Sequence, residues 1–300
     1  MPDTNKKYYG KVLLFGEYAL IHGSPALARP TDLFSASWDF DDSLAAEQSL
    51  ILNPFHAYCA KLKLDGIEYK ADAFSKDLNH GLIFKSNLPI GYGVGSSGAL
   101  TAAIFDQYFN KSEQLELIKL KQVLGSIESY FHGKSSGFDP LICYLNKAVK
   151  IDSDIIHEIN KAEAPDGFSF FLLNTEKPRK TGPLVETYLK RYEADSSFRR
   201  MIKNEMTLHN RKAITQTLDK DGEGLFDSIE AISRLQWEFL EAMIPANTKK
   251  IWAQSFTTTN HRIKLCGAGG GGFLLGLSKD MEQTRRDFTP FECLIVSENK

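Results

Sequence analysis

The stretch Pro89-Ile90-Gly91-Tyr92-Gly93-Val94-Gly95-Ser96-Ser97-Gly98-Ala99 couples a glycine-rich turn to an apolar segment that runs on to Phe105. Gly91, Gly93 and Gly95 can take positive φ and carry no Cβ to obstruct a ligand, so successive backbone N–H groups can converge on an anion. Ser96 and Ser97 fall at the N-cap or first turn of the helix that the apolar segment predicts, where unpaired N–H groups and the helix dipole favour phosphate. Their hydroxyls are also placed to reach a phosphate-bound Mg²⁺. The plain alternative is a tight loop capped by serine. Gly93 to Gly98 also spells the dinucleotide pattern G-x-G-x-x-G, but Pro89 interrupts the feeding strand and a second helical pattern, not a strand, follows the first helix. No Walker sequence occurs in the chain.

Two carboxylates extend this chemistry. The stripe Leu117, Leu120, Leu124, Ile127 and Phe131 advances by three and four residues and predicts a core-facing helix from about Ser112 to Phe131. Glu128 lies one residue past Ile127, about 100° round the helix, on the edge of the buried stripe. It is either a surface glutamate or a carboxylate aimed into a cleft. The helix ends at His132-Gly133, and Asp139 follows in a loop where Pro140 biases it away from helical geometry. Taken alone, Asp139 reads as a turn former.

The remaining elements frame these residues. Lys11 to Phe15 reads as a buried strand ended by Gly16; Tyr18 to Ala28 has a helix-like pattern broken at His22-Gly23-Ser24-Pro25. Ser35 to Phe40 reads as an edge strand running into a solvated acidic turn, Asp41-Asp42, and Ile51 to Leu64 as a helix. Strands are predicted at Leu82 to Ser86, Ala148 to Ile151 and Phe168 to Leu173, with a domain boundary in the polar break at 163–167, giving domains 1–165 and 166–300. A basic loop with Lys177, Arg179 and Lys180 leads to two long helical stretches, separated at Gly222 and Gly224, that end near Met243. Arg262 to Cys266 then enters a second glycine run, 267–272, followed by strands at Phe273 to Leu277 and Cys293 to Val296. A strand after this run weakens it as a dinucleotide site, but it suits a backbone wall that another loop or a phosphate approaches closely.

Composition narrows the class. With 300 residues and a net charge of −2, the chain has ample length for one large or two moderate domains and no nucleic-acid surface is expected. Neither a signal-peptide core nor an apolar run of membrane-spanning length is seen, which predicts a soluble cytoplasmic protein. Cys59, Cys143, Cys266 and Cys293 are far apart in apolar surroundings and read as buried reduced thiols, and the histidines form no zinc motif.

Three spaced segments resemble the GHMP kinase superfamily, and within it the mevalonate kinases: Lys11 to Ala19 with His22-Gly23, Pro89 to Ala99, and Lys264 to Gly272. A fourth, E-x-x-x-H-G-x-x-S-G-x-D, is matched by Glu128, His132, Gly133, Ser136, Gly137 and Asp139. The resemblance implies a two-domain α/β (α+β) protein, with an N-terminal domain like the second domain of a small-subunit ribosomal protein and a ferredoxin-like C-terminal domain. ATP and acceptor would meet in the cleft between them. By the same resemblance Pro89, Gly91, Gly93, Val94, Gly95, Ser96, Ser97, Gly98 and Ala99 would bind ATP, and Ser97 and Glu128 would hold Mg²⁺. Asp139 would face the acceptor hydroxyl with Lys11 beside it. Glu17, Tyr18, His22, Ser136, Gly137, Arg179, Gly267, Ala268 and Gly269 would line the acceptor side. Phosphoryl transfer suits such residues, because positioning and charge neutralisation dominate it.

The implied reaction is phosphorylation of a small alcohol, mevalonate first, by a monomer or homodimer that needs no nucleic acid or membrane. Phosphomevalonate is the nearest alternative, since the basic loop would suit an acceptor already carrying phosphate. A nucleotide-binding regulator without turnover and a NAD-dependent dehydrogenase remain from other classes. Tyr18 stands where mevalonate kinases commonly have histidine, Gly98 where alanine is common, and Pro140 after Asp139 is untypical.

Overall fold

The computed structural model describes residues 1–111, 115–153 and 155–298. Helices and strands are mixed, and the chain forms two compact units: Met1–Lys11, Pro30–Pro89 and Val94–Lys147 make the first, Val12–Arg29, Ile90–Gly93 and Ala148–Lys300 the second. A cut at residue 165 follows chain order, whereas these units interleave. Strands β1 (Tyr8–Phe15) and β2 (Ala26–Phe40) each contribute residues to both, and so does the glycine-rich stretch.

The first unit continues with α1 (Asp42–Cys59), β3 (Ile67–Tyr69), α2 (Ala71–Asn79), β4 (Leu82–Ser86), α3 (Ser96–Tyr108), β5 (Phe109–Lys111), α4 (Leu117–His132) and α5 (Phe138–Leu145). Its core gathers round α3, whose Ala99, Ala102, Ala103, Ile104 and Phe105 are all buried against α4 and α5. A helix apolar on nearly every side must be enclosed in this way. The second half of β2 pairs antiparallel with β4, placing Trp38 opposite Phe84. Trp38 is fully buried beside Phe74, Phe84 and Tyr108.

The second unit holds β6 (Ala148–Asp152), β7 (Ile155–Ile159), β8 (Ser169–Asn174), α6 (Thr181–Ala194), α7 (Ser196–Met201), α8 (Thr207–Leu218), α9 (Gly222–Phe239), α10 (Lys249–Ser255), β9 (His261–Leu265), β10 (Phe273–Ser278), α11 (Met281–Asp287) and β11 (Cys293–Glu298). Its four-stranded sheet runs β11-β8-β10-β9, with every neighbouring pair antiparallel. Helices between β8 and β9, and α11 between β10 and β11, complete the β-α-β-β-α-β connection of a ferredoxin-like domain. All four cysteines are buried and free, as their apolar surroundings predict.

Several local expectations change. The helix-like pattern at Tyr18 to Ala28 yields one 3₁₀ turn, Ala19–His22, because Gly23 takes φ 83° and Ala26 already pairs with Ile151 of β6. The Asp41-Asp42 turn is a helix start, with the Asp41 carboxylate accepting from the Ser43 N–H at 2.9 Å, so α1 starts earlier than the expected 51–64 span and ends within it, at Cys59. Asp139 and Pro140 lie inside α5: a proline in the first helical turn forfeits no intrahelical bond, so it does not exclude the residue before it. The expected start of the next helix at Ser112 lies outside the described residues, and α4 begins at Leu117. The first long helical stretch after the basic loop divides into α6, α7 and α8, with a π-helical turn at Ile202–Met206. The expected separation near Gly222 and Gly224 is present, between α8 and α9, and Gly222 opens α9 under an Asp221 cap.

Candidate active site

In the first unit the glycine-rich stretch delivers the chain to the N-terminus of α3. Gly95 is the N-cap residue, in the left-handed conformation at φ 86°, and no side chain caps the helix, which leaves the amides of the Ser96-Ser97-Gly98 turn for an anion. Gly91 and Gly93 also take positive φ, at 80° and 78°, as their type predicts. Their missing Cβ atoms do not leave open space for a ligand. A Cβ at Gly95 would lie 3.0 Å from Lys11 Cγ, and one at Gly98 would lie 3.1 Å from the Pro140 nitrogen. Alanine at position 98 would therefore press on the first turn of α5. The Lys11 N–H donates to Val94 O at 2.8 Å, which ties β1 to the loop.

Six side chains meet there in an ion pair and a hydrogen-bond cluster. Lys11 Nζ pairs with Asp139 Oδ2 at 2.9 Å; the lysine side chain is 5% exposed and the aspartate 41%. Ser97 Oγ donates to Glu128 Oε1 at 2.9 Å and lies 3.0 Å from His132 Nε2. Ser135 Oγ donates to the other oxygen, Oε2. Glu128 is thus buried and not snorkelling. Burial, reinforced by the Asp139 carboxylate, pushes its pKa up to about 7, against the hydrogen bonds from Ser135 and Ser97 and the charge of Lys11. Burial lowers the His132 pKa.

The Glu128 carboxylate, whose charge is disfavoured by nearby Asp139, and the Ser97 hydroxyl beside it make a hard-oxygen setting that fits Mg²⁺. Among the described residues no three His, Cys, Asp or Glu side chains gather as an all-protein metal cage. Ser136 and Gly137 form the turn before α5: Ser136 Oγ accepts from the Phe138 N–H, and Gly137, at φ 73°, packs so closely on Lys121 O that a Cβ would fall 1.9 Å away.

In the second unit Glu17 is buried against Lys264 Nζ, and burial raises its pKa against the pull of that ammonium and of the Gly267 N–H. Tyr18, in a positive-φ conformation that a non-glycine residue rarely adopts, donates its hydroxyl to Ala268 O at 2.6 Å and stacks on Tyr188 with centroids 4.5 Å apart. His22 stacks on Tyr192 at 3.5 Å. Arg179 Nη1 donates to Cys266 O at 2.8 Å, and its N–H donates to Gly91 O at 2.9 Å. Gly267 and Gly269 take φ 73° and 69°. The first unit therefore gathers Lys11, Pro89, Val94 to Ala99, Glu128, Ser136, Gly137 and Asp139; the second gathers Glu17, Tyr18, His22, Gly91, Gly93, Arg179 and 267–269. Lys264, Ser135 and the contact of His132 with Ser97 were not singled out from sequence. His132 is four residues past Glu128 on one helix face, a signal that was there to read.

Residues 56–147 match the model of the GHMP kinases N terminal domain. The mevalonate kinase of Arabidopsis thaliana is 24% identical over 340 residues, covering 89% of each chain. That of Pyrococcus abyssi is 24% identical over 295 residues, covering 89% of this chain and 86% of its own. Among solved structures, L. major mevalonate kinase in complex with R-mevalonate superposes with a TM-score of 0.63 at 17% identity, covering 100% of this chain and 99% of its own. Among the described residues no helix is long and apolar enough to cross a membrane.

Proposed function

We propose that this chain, which matches the GHMP kinases N terminal domain over residues 56–147 and resembles mevalonate kinases along most of its length, transfers the γ-phosphoryl group of ATP to the hydroxyl of a small diffusible alcohol, with mevalonate ranked first. The observation that carries this reading is the Lys11–Asp139 ion pair set beside the Ser97–Glu128 pair where the glycine-rich stretch enters α3. The relatives support the choice of acceptor, since they are mevalonate kinases.

In this reading the amides of Val94 to Ala99 bind the ATP phosphates, with Pro89, Gly91 and Gly93 shaping their approach. Ser97 and Glu128 hold Mg²⁺, which when bound neutralises phosphate charge. Asp139, whose carboxylate reaches solvent, takes the proton from the attacking alcohol. Lys11 faces the same carboxylate and stabilises the negative charge that builds on the transferred group. Ser136 and Gly137 hold the turn that aims Asp139, and Glu17, Tyr18, His22 and 267–269 belong to the acceptor side. We place the enzyme in the cytoplasm.

The test is ADP formation from Mg-ATP with a panel of mevalonate, phosphomevalonate, galactose and homoserine. A signal that depends on mevalonate supports the proposal. The exposed Lys177 and Lys180 favour a second reading, phosphomevalonate as acceptor, and a signal with that compound alone would replace the first.

A further inference from the structure

Within the second unit Arg179 lies between two glycine turns that are remote in sequence. Its Nη1 donates to Cys266 O at 2.8 Å and faces Gly271 O at 3.4 Å and Gly269 O at 3.5 Å. Its Nη2 occupies the room two side chains would need: a Cβ at Gly93 would lie 2.0 Å from it, and one at Gly267 2.7 Å. The Arg179 N–H donates to Gly91 O, and one residue pair upstream Lys177 O accepts from the Gly272 N–H at 2.6 Å. Thr175 Oγ1 donates to Gly272 O at 2.7 Å. The segment 175–179 is thus laced to 91–93 on one side and to 266–272 on the other.

We propose that Arg179 is a positioning residue that pins the entry of the phosphate loop, residues 91–93, to the glycine run 266–272. In this role its guanidinium serves the nucleotide side and not the acceptor. The proposal rests on the kinase reading above. Three observations carry it. Nη1 of the guanidinium faces main-chain carbonyls at 266, 269 and 271, so this donor group points at the protein. A Cβ at position 93 or 267 would displace that guanidinium, whatever ligand is bound. The run itself is committed to the protein: Ala268 O accepts from Tyr18, and the Gly270 and Gly272 amides donate to Met243 O and Lys177 O. A planar fork can address several carbonyls at once, which a lysine ammonium on a flexible stem does not reproduce.

The experiment compares the full chain with its Arg179→Lys variant, measuring the Kd for ADP by calorimetry and the KM for both ATP and mevalonate. The pin predicts that the ADP Kd and the ATP KM rise roughly tenfold or more, because the phosphate loop is no longer held in register, while the mevalonate KM is unchanged. A raised mevalonate KM with an unchanged ADP Kd would make Arg179 an acceptor ligand and overturn the proposal, as would no change in any of the three. The ADP Kd is read without turnover, so wild-type protein inert towards every alcohol would sink the kinase reading and leave this readout intact. A second test uses Gly267→Ala. In the wild-type background it should weaken ADP binding; in an Arg179→Ala background the clash is gone and the further loss should be much smaller, the positive-φ strain being common to both. Equal losses in the two backgrounds would overturn the pin. If Arg179→Lys does not fold, Gly267→Ala alone decides, and normal ADP affinity in that variant overturns it.

Discussion

Lys11 Nζ lies 2.9 Å from Asp139 Oδ2, and the pair is lopsided: the lysine is enclosed while the carboxylate reaches solvent. The enclosed partner is held by its surroundings, with Gly95 packed on its stem and its own N–H bonded to Val94 O. The open partner is free to meet a hydroxyl. In the proposed reaction this division separates a fixed cation, Lys11, for charge stabilisation from an accessible carboxylate, Asp139, for proton transfer.

Lys11→Met should lower kcat by about 10²- to 10³-fold, the scale of losing one preorganised charge-stabilising donor, with nucleotide affinity less affected. Lys11→Arg should not restore it, because the lysine side chain is enclosed and a planar guanidinium does not reproduce a compact ammonium at Asp139. Steady-state kinetics of both variants check this, and an active arginine variant would contradict it.

The raised pKa of Glu128 gives the metal dependence a direction. A cation needs the carboxylate, and with a pKa of about 7 the ionised fraction rises about tenfold between pH 6 and pH 8. The Mg²⁺ concentration for half-activation should fall by a similar factor over that interval. For the metal-free protein the sign is the reverse of a paired carboxylate: the folded state holds the proton more tightly than the unfolded one, so this group's contribution is full below about pH 4.5 and is lost as pH rises through 7. Glu128→Gln should remove both effects, which Mg²⁺ titrations and urea unfolding at several pH values would reveal.

Glu17 and Lys264 are both enclosed, so removing one leaves the other charged and unpaired. Lys264→Met should destabilise the protein by about 3–5 kcal/mol, and the double variant with Glu17→Met should recover much of that loss. Chemical denaturation of the two single variants and the double variant decides it.

His261 adds an acid-side limit. Burial lowers its pKa to about 4, with Asp287 opposing and Arg262 adding to the shift. The unfolded chain binds this proton near pH 6.5 and the folded chain does not, so the stability it contributes is present above pH 6.5 and is lost as pH falls through 4. His261→Phe should flatten the decline in melting temperature across that window.

The phosphate-side chemistry was legible in the sequence because residue type and spacing suffice there: glycines at 91, 93 and 95, serines at 96 and 97, and a glutamate and an aspartate at fixed offsets on adjoining turns. What could not be read depends on contacts between distant segments. Lys264 meets Glu17 across 247 residues, and nothing local marks a lysine in a buried strand as a partner for that glutamate. Sequence alone makes the glycines at 91, 93 and 95 openings for a ligand, whereas Arg179 and Lys11 fill that space. The helix at Phe138–Leu145 is masked in the sequence by Asp139-Pro140, because a residue before proline disfavours helix in general while a first-turn proline is tolerated. The β7 strand escaped because Ile155–Ile159 is largely exposed and mixes isoleucine with His157 and Glu158, showing no buried face.

The most direct test of the account follows the labelled γ-phosphoryl group of ATP in a single turnover with mevalonate, using wild-type protein and Asp139→Asn, with nucleotide affinity measured in both. The account predicts that label moves to the mevalonate oxygen in wild type, and 10²- to 10⁴-fold more slowly in the variant at unchanged nucleotide affinity. Label released only to water, or transfer at the wild-type rate in a folded Asp139→Asn protein, would contradict it.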